Sequence, residues 1–215
     1  MRVLIAAGLE GASGVVGLDG AQVEAARRWL TGDINAAVEG AMEAGATSFV
    51  LHDGGGVGQP AVLLDELHPA VEVVRGQPVV LYEETDLARG YDGAFMLGMP
   101  ARPGQPAVLS HCLLSRLLRE VRLDGQPAGE PELACALAGA YGIPTLLISG
   151  DDRVCLDVQR WSGGKIEAAV VKYALSRYTA RCLPLIEARE RIRTAARVSN
   201  VQRCTKASER IGARA

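Results

Sequence analysis

The chain has 215 residues, which is enough for one domain with a substantial hydrophobic core. Apolar residues make up 48% and charged residues 22%, an ordinary globular composition, and the formal net charge of −2 gives no general attraction to nucleic acid or anionic membranes. Aromatic residues make up only 4%, which argues against a stacking platform for bases.

The first quarter of the chain predicts two buried strands with a helix between them. RVLIAA at residues 2–7 is a continuous apolar run, as expected of a strand that is covered on both faces. Thr31 is predicted to cap a helix that ends at Gly45. The helix has three apolar residues on one face at four-residue spacing: Ile34, Val38 and Met42. SFVLHD at residues 48–53 predicts the second strand, which again ends in a glycine loop.

The middle of the chain continues this alternation of strands and helices. We expect a weaker strand at 71–74, a strand at 93–98, a hairpin with an Asp-Gly turn at 119–129, an alanine-rich helix at 132–142 and a buried strand at 143–150. Strands that alternate with helices predict an α/β fold, a layered sandwich with a mainly parallel central sheet flanked by helices.

The C-terminal segment differs in charge from the rest of the chain. From residue 186 onward it has eight Lys or Arg residues and three Glu residues. Its spacing predicts a solvated helix with ion pairs between residues four apart. The sequence therefore divides into an α/β domain at 1–185 and a basic C-terminal helix and tail at 186–215.

The five cysteines are widely scattered and form no CxxC motif, so they are expected to be reduced thiols, not a disulfide framework or a zinc ribbon. No stretch approaches the roughly 20 apolar residues of a membrane helix, and the short apolar start does not predict a signal peptide. We therefore expect a cytoplasmic protein that binds neither membranes nor nucleic acid.

Polar residues follow several of the predicted strands, where sites form in open α/β sheets. They are Glu10, then His52 and Asp53, then the turn at 99–102, then Asp151 and Asp152. Glu130 begins a helix, and His111 lies between apolar residues. Each also has a structural interpretation: a histidine among apolar residues is often part of a core, and a first-turn carboxylate often only offsets the helix dipole. The glycine loop at 54–58 lacks the Lys-Ser/Thr ending of a P-loop.

Taken together, the motifs resemble one family, the zinc D-aminopeptidases of the DppA type. The motifs that carry the resemblance run in order along residues 1–185: LEGASG, TGDINAAVEGAMEAGAT, LHDGG, ELHP, GAFMLGMPAR, PAVLSH, GQPAGE, YGIPTLLISGDDR and KYALSRYTARCLP. Members of that family hold two zinc ions with carboxylates and histidines and release D-amino acids from short peptides, and they assemble into rings. The resemblance thus implies a small peptide or amide substrate and a homo-oligomer.

The resemblance also implies site residues. Glu10 and Glu130 match metal ligands of the family, and His111 matches its catalytic histidine. Three of the five ligand positions are replaced: Gly8 stands for an Asp, Gly55 (beside Gly54, which replaces a Ser) for a His, and Pro100 for a His. Glycine and proline offer no donor atom, and we expect them to leave a cavity.

Asp53 lies at the appropriate strand end to be a third ligand. Two or three carboxylates suit a single, weakly bound divalent ion such as Mg²⁺ or Mn²⁺ better than tight zinc, so the cofactor is expected to be one labile ion or none.

Three functions remain open at this point. The first is a hydrolase of short peptides or amides in which His111 is the general acid or base and the remaining carboxylates hold a metal that activates water. The second is a non-catalytic binding or assembly subunit that keeps the fold. The third is a metal-free activity built around His111, in which the adjacent Cys112 is too close in sequence to form a Cys–His pair.

Overall fold

The computed structural model describes residues 1–53, 60–76, 84–113 and 118–212, without the side chains of residues 84, 85 and 200–212. Its elements in chain order are β1 (Arg2–Ala7), α1 (Gln22–Glu43), β2 (Ser48–Asp53), β3 (Val71–Arg75), α2 (Glu84–Leu87), β4 (Gly93–Met99), β5 (Val121–Leu123), β6 (Gln126–Ala128), α3 (Glu130–Ala140), β7 (Thr145–Asp151), α4 (Asp152–Ser162), β8 (Glu167–Ser176), β9 (Thr179–Cys182) and α5 (Leu185–Gly212).

A seven-stranded sheet forms the centre of the fold, in the order β3-β2-β1-β4-β7-β8-β9. All neighbouring strands in it are parallel except β8 and β9, which form an antiparallel hairpin. The predicted α/β fold with a mainly parallel central sheet is therefore confirmed. Strands β5 and β6 form a separate antiparallel pair, and they are the predicted hairpin, since Asp124 and Gly125 make its turn with φ of 50° and 77°.

The order of the strands creates a switch point between β1 and β4. The chain runs outward from β1 through β2 to β3, and then returns to place β4 on the other side of β1. The connections after β1 and β4 consequently leave in different directions from the same edge. In open α/β sheets this is where a crevice forms.

The sheet is covered on both faces. Alternate residues of β1 enter different clusters: Val3 and Ile5 pack with α1 and α5, while Leu4 and Ala6 pack with α3 and α4. This is why RVLIAA is apolar at every position, because strand side chains alternate between faces and here both faces are buried.

Helix α1 corrects one prediction, because it begins at Gln22 and not beside Thr31. Ala26 and Leu30 are fully buried and extend the apolar stripe of the helix upstream. Thr31 is an interior residue whose hydroxyl donates to the carbonyl oxygen of Arg27 at 2.8 Å. The predicted end is confirmed, since the helix stops at Glu43, two residues before Gly45 with its φ of 89°.

The charge pattern of the C-terminal segment predicts a solvated helix, but one side of α5 is buried. Ala188, Ile192 and Ala196 are four residues apart and fully buried in the core on the α1 side of the sheet. A neighbouring, more exposed side of the helix carries the expected pairing, with Arg191 donating to Glu187 at 2.7 Å. The division of the chain at residue 185 stays a prediction. Among the described residues, none of the helices has the length and apolar character that crossing a membrane requires.

Candidate active site

The loops after β1 and β4 touch through their backbones at the switch point. The Gly8 amide donates to the Leu97 carbonyl at 2.9 Å, and the Gly11 amide donates to the Gly98 carbonyl at 2.8 Å. Gly98 has a φ of 67°, and a Cβ on it would lie 2.1 Å from the Gly8 carbonyl oxygen. Only glycine permits so close a contact, and it brings the residues that follow each strand together.

Three predicted site residues meet just beyond this contact. The Nε2 atom of His111 lies 3.8 Å from Oε1 of Glu10 and 3.5 Å from Oε1 of Glu130. Their side chains are 16–17% exposed, so the cluster is partly sheltered and still reachable from solvent. Glu10 follows β1, His111 follows β4, and Glu130 is the first residue of α3, where a carboxylate also offsets the helix dipole.

The ring of His111 is held in one orientation. Its amide donates to the Ala101 carbonyl at 3.1 Å, and its Nδ1 lies 2.8 Å from the Leu109 carbonyl oxygen. Because a carbonyl oxygen only accepts hydrogen bonds, Nδ1 must carry a proton in this contact. In the neutral ring, Nε2 therefore carries the lone pair that a general base needs, and once protonated it can pair with Glu10 and Glu130.

Strained backbone flanks His111 on both sides. Leu109 and Leu113 have φ values of 48° and 44°, a region that leucine rarely adopts and that costs roughly 1 kcal/mol or more per residue. The strain has a local use at each position. It directs the Leu109 carbonyl at His111, and it turns the Leu113 amide toward Glu130, to which it donates at 2.7 Å.

Charge within the cluster is tuned by burial. Burial raises the pKa of Glu130, and the nearby Glu10 raises it further, while His111 and the Leu113 amide oppose this shift. Glu130 therefore keeps its proton to a higher pH than an exposed glutamate would. Burial also raises the pKa of the Cys112 thiol to about 11, so this neighbour is not a thiolate at neutral pH.

A buried lysine supports the loop that carries Glu10. Lys172 on β8 is fully buried, and its ammonium donates to the carbonyl oxygens of Glu10, Ala12 and Val15 at 2.7, 2.9 and 2.6 Å. Burial lowers its pKa to about 8. Sequence reasoning missed Lys172, although a lysine inside the run AAVVKYAL was a visible signal, because a charge at a core position needs partners.

Asp33 holds the same loop from α1. Its Oδ2 accepts from the Ser13 amide at 2.8 Å, and it is fully buried. Burial raises the pKa of Asp33 to about 6. The positive charge of Arg189, whose Nε lies 3.8 Å from Oδ1 of Asp33, opposes this shift but is the weaker effect.

The structure places Asp53 in an ion pair. Its Oδ2 accepts from Arg75 at 2.8 and 3.1 Å, and its Oδ1 accepts from the Ala61 amide at 2.8 Å. Its role as a metal ligand stays a prediction, and binding an ion would compete with Arg75. The neighbouring His52 lies 2.8 Å from Asp86.

The acidic pair at the end of β7 and the start of α4, Asp151 and Asp152, has a structural role. Asp151 caps α4 by accepting from the amides of Arg153 and Val154 at 2.9 and 3.0 Å, and it also accepts from the Val108 amide at 2.9 Å. Asp152 accepts from the Ala174 amide at 2.7 Å. Asp151 thus helps to hold the segment that leads to His111.

The described residues do not fit a two-metal centre. In this part of the chain, no group of three or more His, Cys, Asp or Glu side chains is placed to hold a metal ion. The expected cavity at Gly8 is not open, since a Cβ there would lie 2.8 Å from the Gly98 carbonyl oxygen and 3.3 Å from Oε2 of Glu10. Pro100 is buried and has no donor side chain. Gly54 and Gly55 lie outside the described residues.

The fold and this site define an α/β protein with an acid–base cluster at the switch point of a mainly parallel sheet. The family model described as D-aminopeptidase, peptidase family M55, matches residues 1–211, and the chain therefore belongs to that family. The expected family membership is confirmed.

A relative and a solved structure from Bacillus subtilis show the same relationship. The D-aminopeptidase of Bacillus subtilis (strain 168) is 27% identical over 190 residues, which cover 85% of this chain and 68% of that protein. The solved structure is that of Zn-dependent D-aminopeptidase DppA from Bacillus subtilis, which is described as a self-compartmentalizing protease. It is 23% identical to this chain, and the match covers 93% of this chain and 73% of the DppA chain. Its TM-score of 0.81 shows that the two share a fold.

Proposed function

We propose that this protein hydrolyses an amide or peptide bond of a small substrate at the cluster of Glu10, His111 and Glu130. One observation carries the proposal: His111 presents Nε2 to both carboxylates while its Nδ1 is held by a backbone carbonyl. A fixed imidazole beside carboxylates is suited to general acid–base catalysis.

The residues suggest the following proton movements. His111 Nε2 takes a proton from a water molecule as its oxygen attacks the carbonyl carbon of the substrate. The same proton then passes to the departing nitrogen as the C–N bond breaks, which leaves a carboxylic acid and an amine. Glu10 stabilises the imidazolium formed in between. Such proton transfer typically contributes about 10²–10⁴-fold to a rate.

The charge of the cluster indicates what it binds. Two carboxylates beside one histidine favour a positively charged group, and the free amino group of a short peptide or an aminoacyl amide supplies one. The proposed substrate class is therefore a small amide with a free amino terminus, and membership of the D-aminopeptidase family supports D-aminoacyl compounds among them.

A divalent ion is proposed as an accessory to this site and not as a paired centre. Glu10 and Glu130 would hold it, and Asp53 would join only by leaving Arg75. When bound, such an ion would lower the pKa of a coordinated water. Because the described residues offer few donors, we propose one weakly bound ion or none, in contrast to the zinc dependence of the structural neighbour.

We also propose that the protein is a cytoplasmic homo-oligomer. Support for assembly comes from the structural neighbour, which is described as self-compartmentalizing.

Hydrolysis of a panel of D-aminoacyl amides and short D-peptides tests the proposed function. Each substrate is assayed with Zn²⁺, Mn²⁺ or Mg²⁺ and with a chelator, for the unmodified protein and for His111→Gln. We expect turnover that His111→Gln reduces at least 100-fold. His68→Gln is the matched control, because the ring of His68 accepts from the Ala70 amide before the start of β3, at the end of the sheet away from the cluster, and its loss should leave turnover unchanged.

The outcomes separate the functions. Turnover that depends on His111 supports the hydrolase, and its persistence in chelator assigns the chemistry to the protein side chains alone. No turnover with any substrate and any ion would contradict the hydrolase and favour the non-catalytic subunit.

A further inference from the structure

Arg177 is placed in an unusual way for an arginine on a turn. It lies between β8 and β9, where the chain is exposed, and yet both its backbone and its guanidinium face the segment that carries His111. The Arg177 carbonyl accepts from the Leu109 amide at 2.9 Å. Its Nη1 donates to the Ser110 carbonyl and lies 3.3 Å from the Ser110 hydroxyl.

These contacts lead directly to the imidazole. Leu109, bonded to Arg177 through its amide, adopts its strained φ of 48° and directs its carbonyl at Nδ1 of His111. Ser110, whose carbonyl accepts from the Arg177 guanidinium, is the residue between Leu109 and His111. Without the guanidinium on Ser110, the segment at 109–110 would relax toward ordinary backbone angles and the Leu109 carbonyl would turn away from the ring, even though the backbone of residue 177 still holds the Leu109 amide.

The guanidinium is itself oriented. Its Nε donates to the hydroxyl of Tyr178 at 3.2 Å, and its Cζ lies 5.7 Å from the centre of the Tyr178 ring. Tyr178 is 65% exposed, so its ring orients the Arg177 guanidinium more than it adds to the hydrophobic core.

We propose that Arg177 is a positioning residue for the reaction: it clamps Leu109 and Ser110 so that His111 presents Nε2 to Glu10 and Glu130. The inference rests on the proposed function in that it takes His111 to be the acid–base group. A lysine in its place keeps the charge but lacks the planar fork that reaches two acceptors, so the two residues are not equivalent here.

Hydrogen exchange at His111 tests the proposal without requiring turnover. The Nδ1 proton of His111 is followed in ¹H–¹⁵N spectra of histidine-labelled protein, where only three histidines occur and His111→Gln assigns the signal. We expect this proton and the His111 amide proton to exchange at least tenfold faster in Arg177→Met, and to an intermediate extent in Arg177→Lys.

Arg181→Met is the matched control. Arg181 lies on β9 of the same hairpin and stacks on Tyr173 at 4.6 Å, so its loss perturbs the hairpin without touching residues 109–111. We expect exchange within twofold of the unmodified protein. The proposal would be overturned if the His111 protons exchanged as slowly in Arg177→Met and Arg177→Lys as in the control. It would also be overturned if exchange were accelerated equally in all three variants.

Kinetics then separates this inference from the proposed function. Where turnover is found, Arg177→Met should lower kcat at least tenfold with little change in KM, because His111 is misaligned while the substrate contacts remain. A rise in KM at constant kcat would contradict a positioning role. If the unmodified protein shows no turnover, the proposed function fails, and the exchange rates still decide the role of Arg177.

Discussion

Replacing Lys172 with methionine tests how the loop of Glu10 is held. Methionine has a similar length but removes three hydrogen bonds, which join Nζ to the carbonyl oxygens of Glu10, Ala12 and Val15 at 2.6–2.9 Å. Ala12 and Val15 are 0% and 2% exposed, so water cannot easily replace the ammonium.

The loss of stability in Lys172→Met follows from these contacts. Each buried acceptor that loses its partner costs about 1–3 kcal/mol, and part of this is offset because a buried ammonium is no longer desolvated. We therefore expect Lys172→Met to lower the free energy of unfolding by roughly 3–5 kcal/mol. Since Glu10 belongs to the released loop, hydrolytic turnover should fall by at least tenfold as well.

Urea unfolding followed by circular dichroism measures the change in stability. A loss of about 4 kcal/mol corresponds to a midpoint lowered by roughly 2 M for a slope near 2 kcal/mol/M. Lys165→Met is the control, because Lys165 is exposed, and it should change the midpoint little. A Lys172→Met midpoint as high as that of the control would refute the idea that the lysine holds the loop.

Three further predictions concern the pH dependence and packing of the fold. The pKa of Asp33 is about 6 in the folded state and 3.8 in the unfolded state, so between these values the folded state holds an extra proton. Stability should therefore fall by about 2 kcal/mol as pH rises from 4 to 7. Asp33→Asn should lose that slope in urea titrations; an unchanged slope would assign it to other groups. Gly98→Ala should lower the melting temperature strongly, because its Cβ would lie 2.1 Å from the Gly8 carbonyl oxygen. Gly104 also has a positive φ but faces open space, so Gly104→Ala should lower the melting temperature much less. Equal losses in the two variants would contradict the close contact. Ile192→Ala should cost about 2–5 kcal/mol in urea unfolding, since this residue of α5 is fully buried, and a cost near zero would indicate a helix detached from the core.

Much of the fold could be predicted from local patterns. Strands β1, β2, β4 and β7 are nearly continuous apolar runs because both faces of the sheet are covered. The start of α1 was missed because Leu30 is the single large apolar residue among those buried before Ile34, and the others (Ala26, Thr31 and Asp33) are weak or polar signals. Strand β8 was missed because Lys172 interrupts its apolar run.

The candidate site could be predicted in part. Glu10, His111 and Glu130 were candidates from their positions and from the family resemblance, and the fold brings both glutamates within 4 Å of His111 although the three are up to 120 residues apart in the chain. Lys172 and Arg177 could not be assigned roles from the sequence. Each acts by donating from its side chain to backbone carbonyls of a distant loop, and a backbone carbonyl leaves no trace in the residue types of that loop.

The metal content of the purified protein tests most directly the claim that this site lacks the donors for a paired metal centre. Protein produced with added Zn²⁺ is passed over a desalting column, and the metal per chain is measured by plasma mass spectrometry. We expect less than one ion to be retained per chain. Two zinc ions retained per chain would contradict the claim.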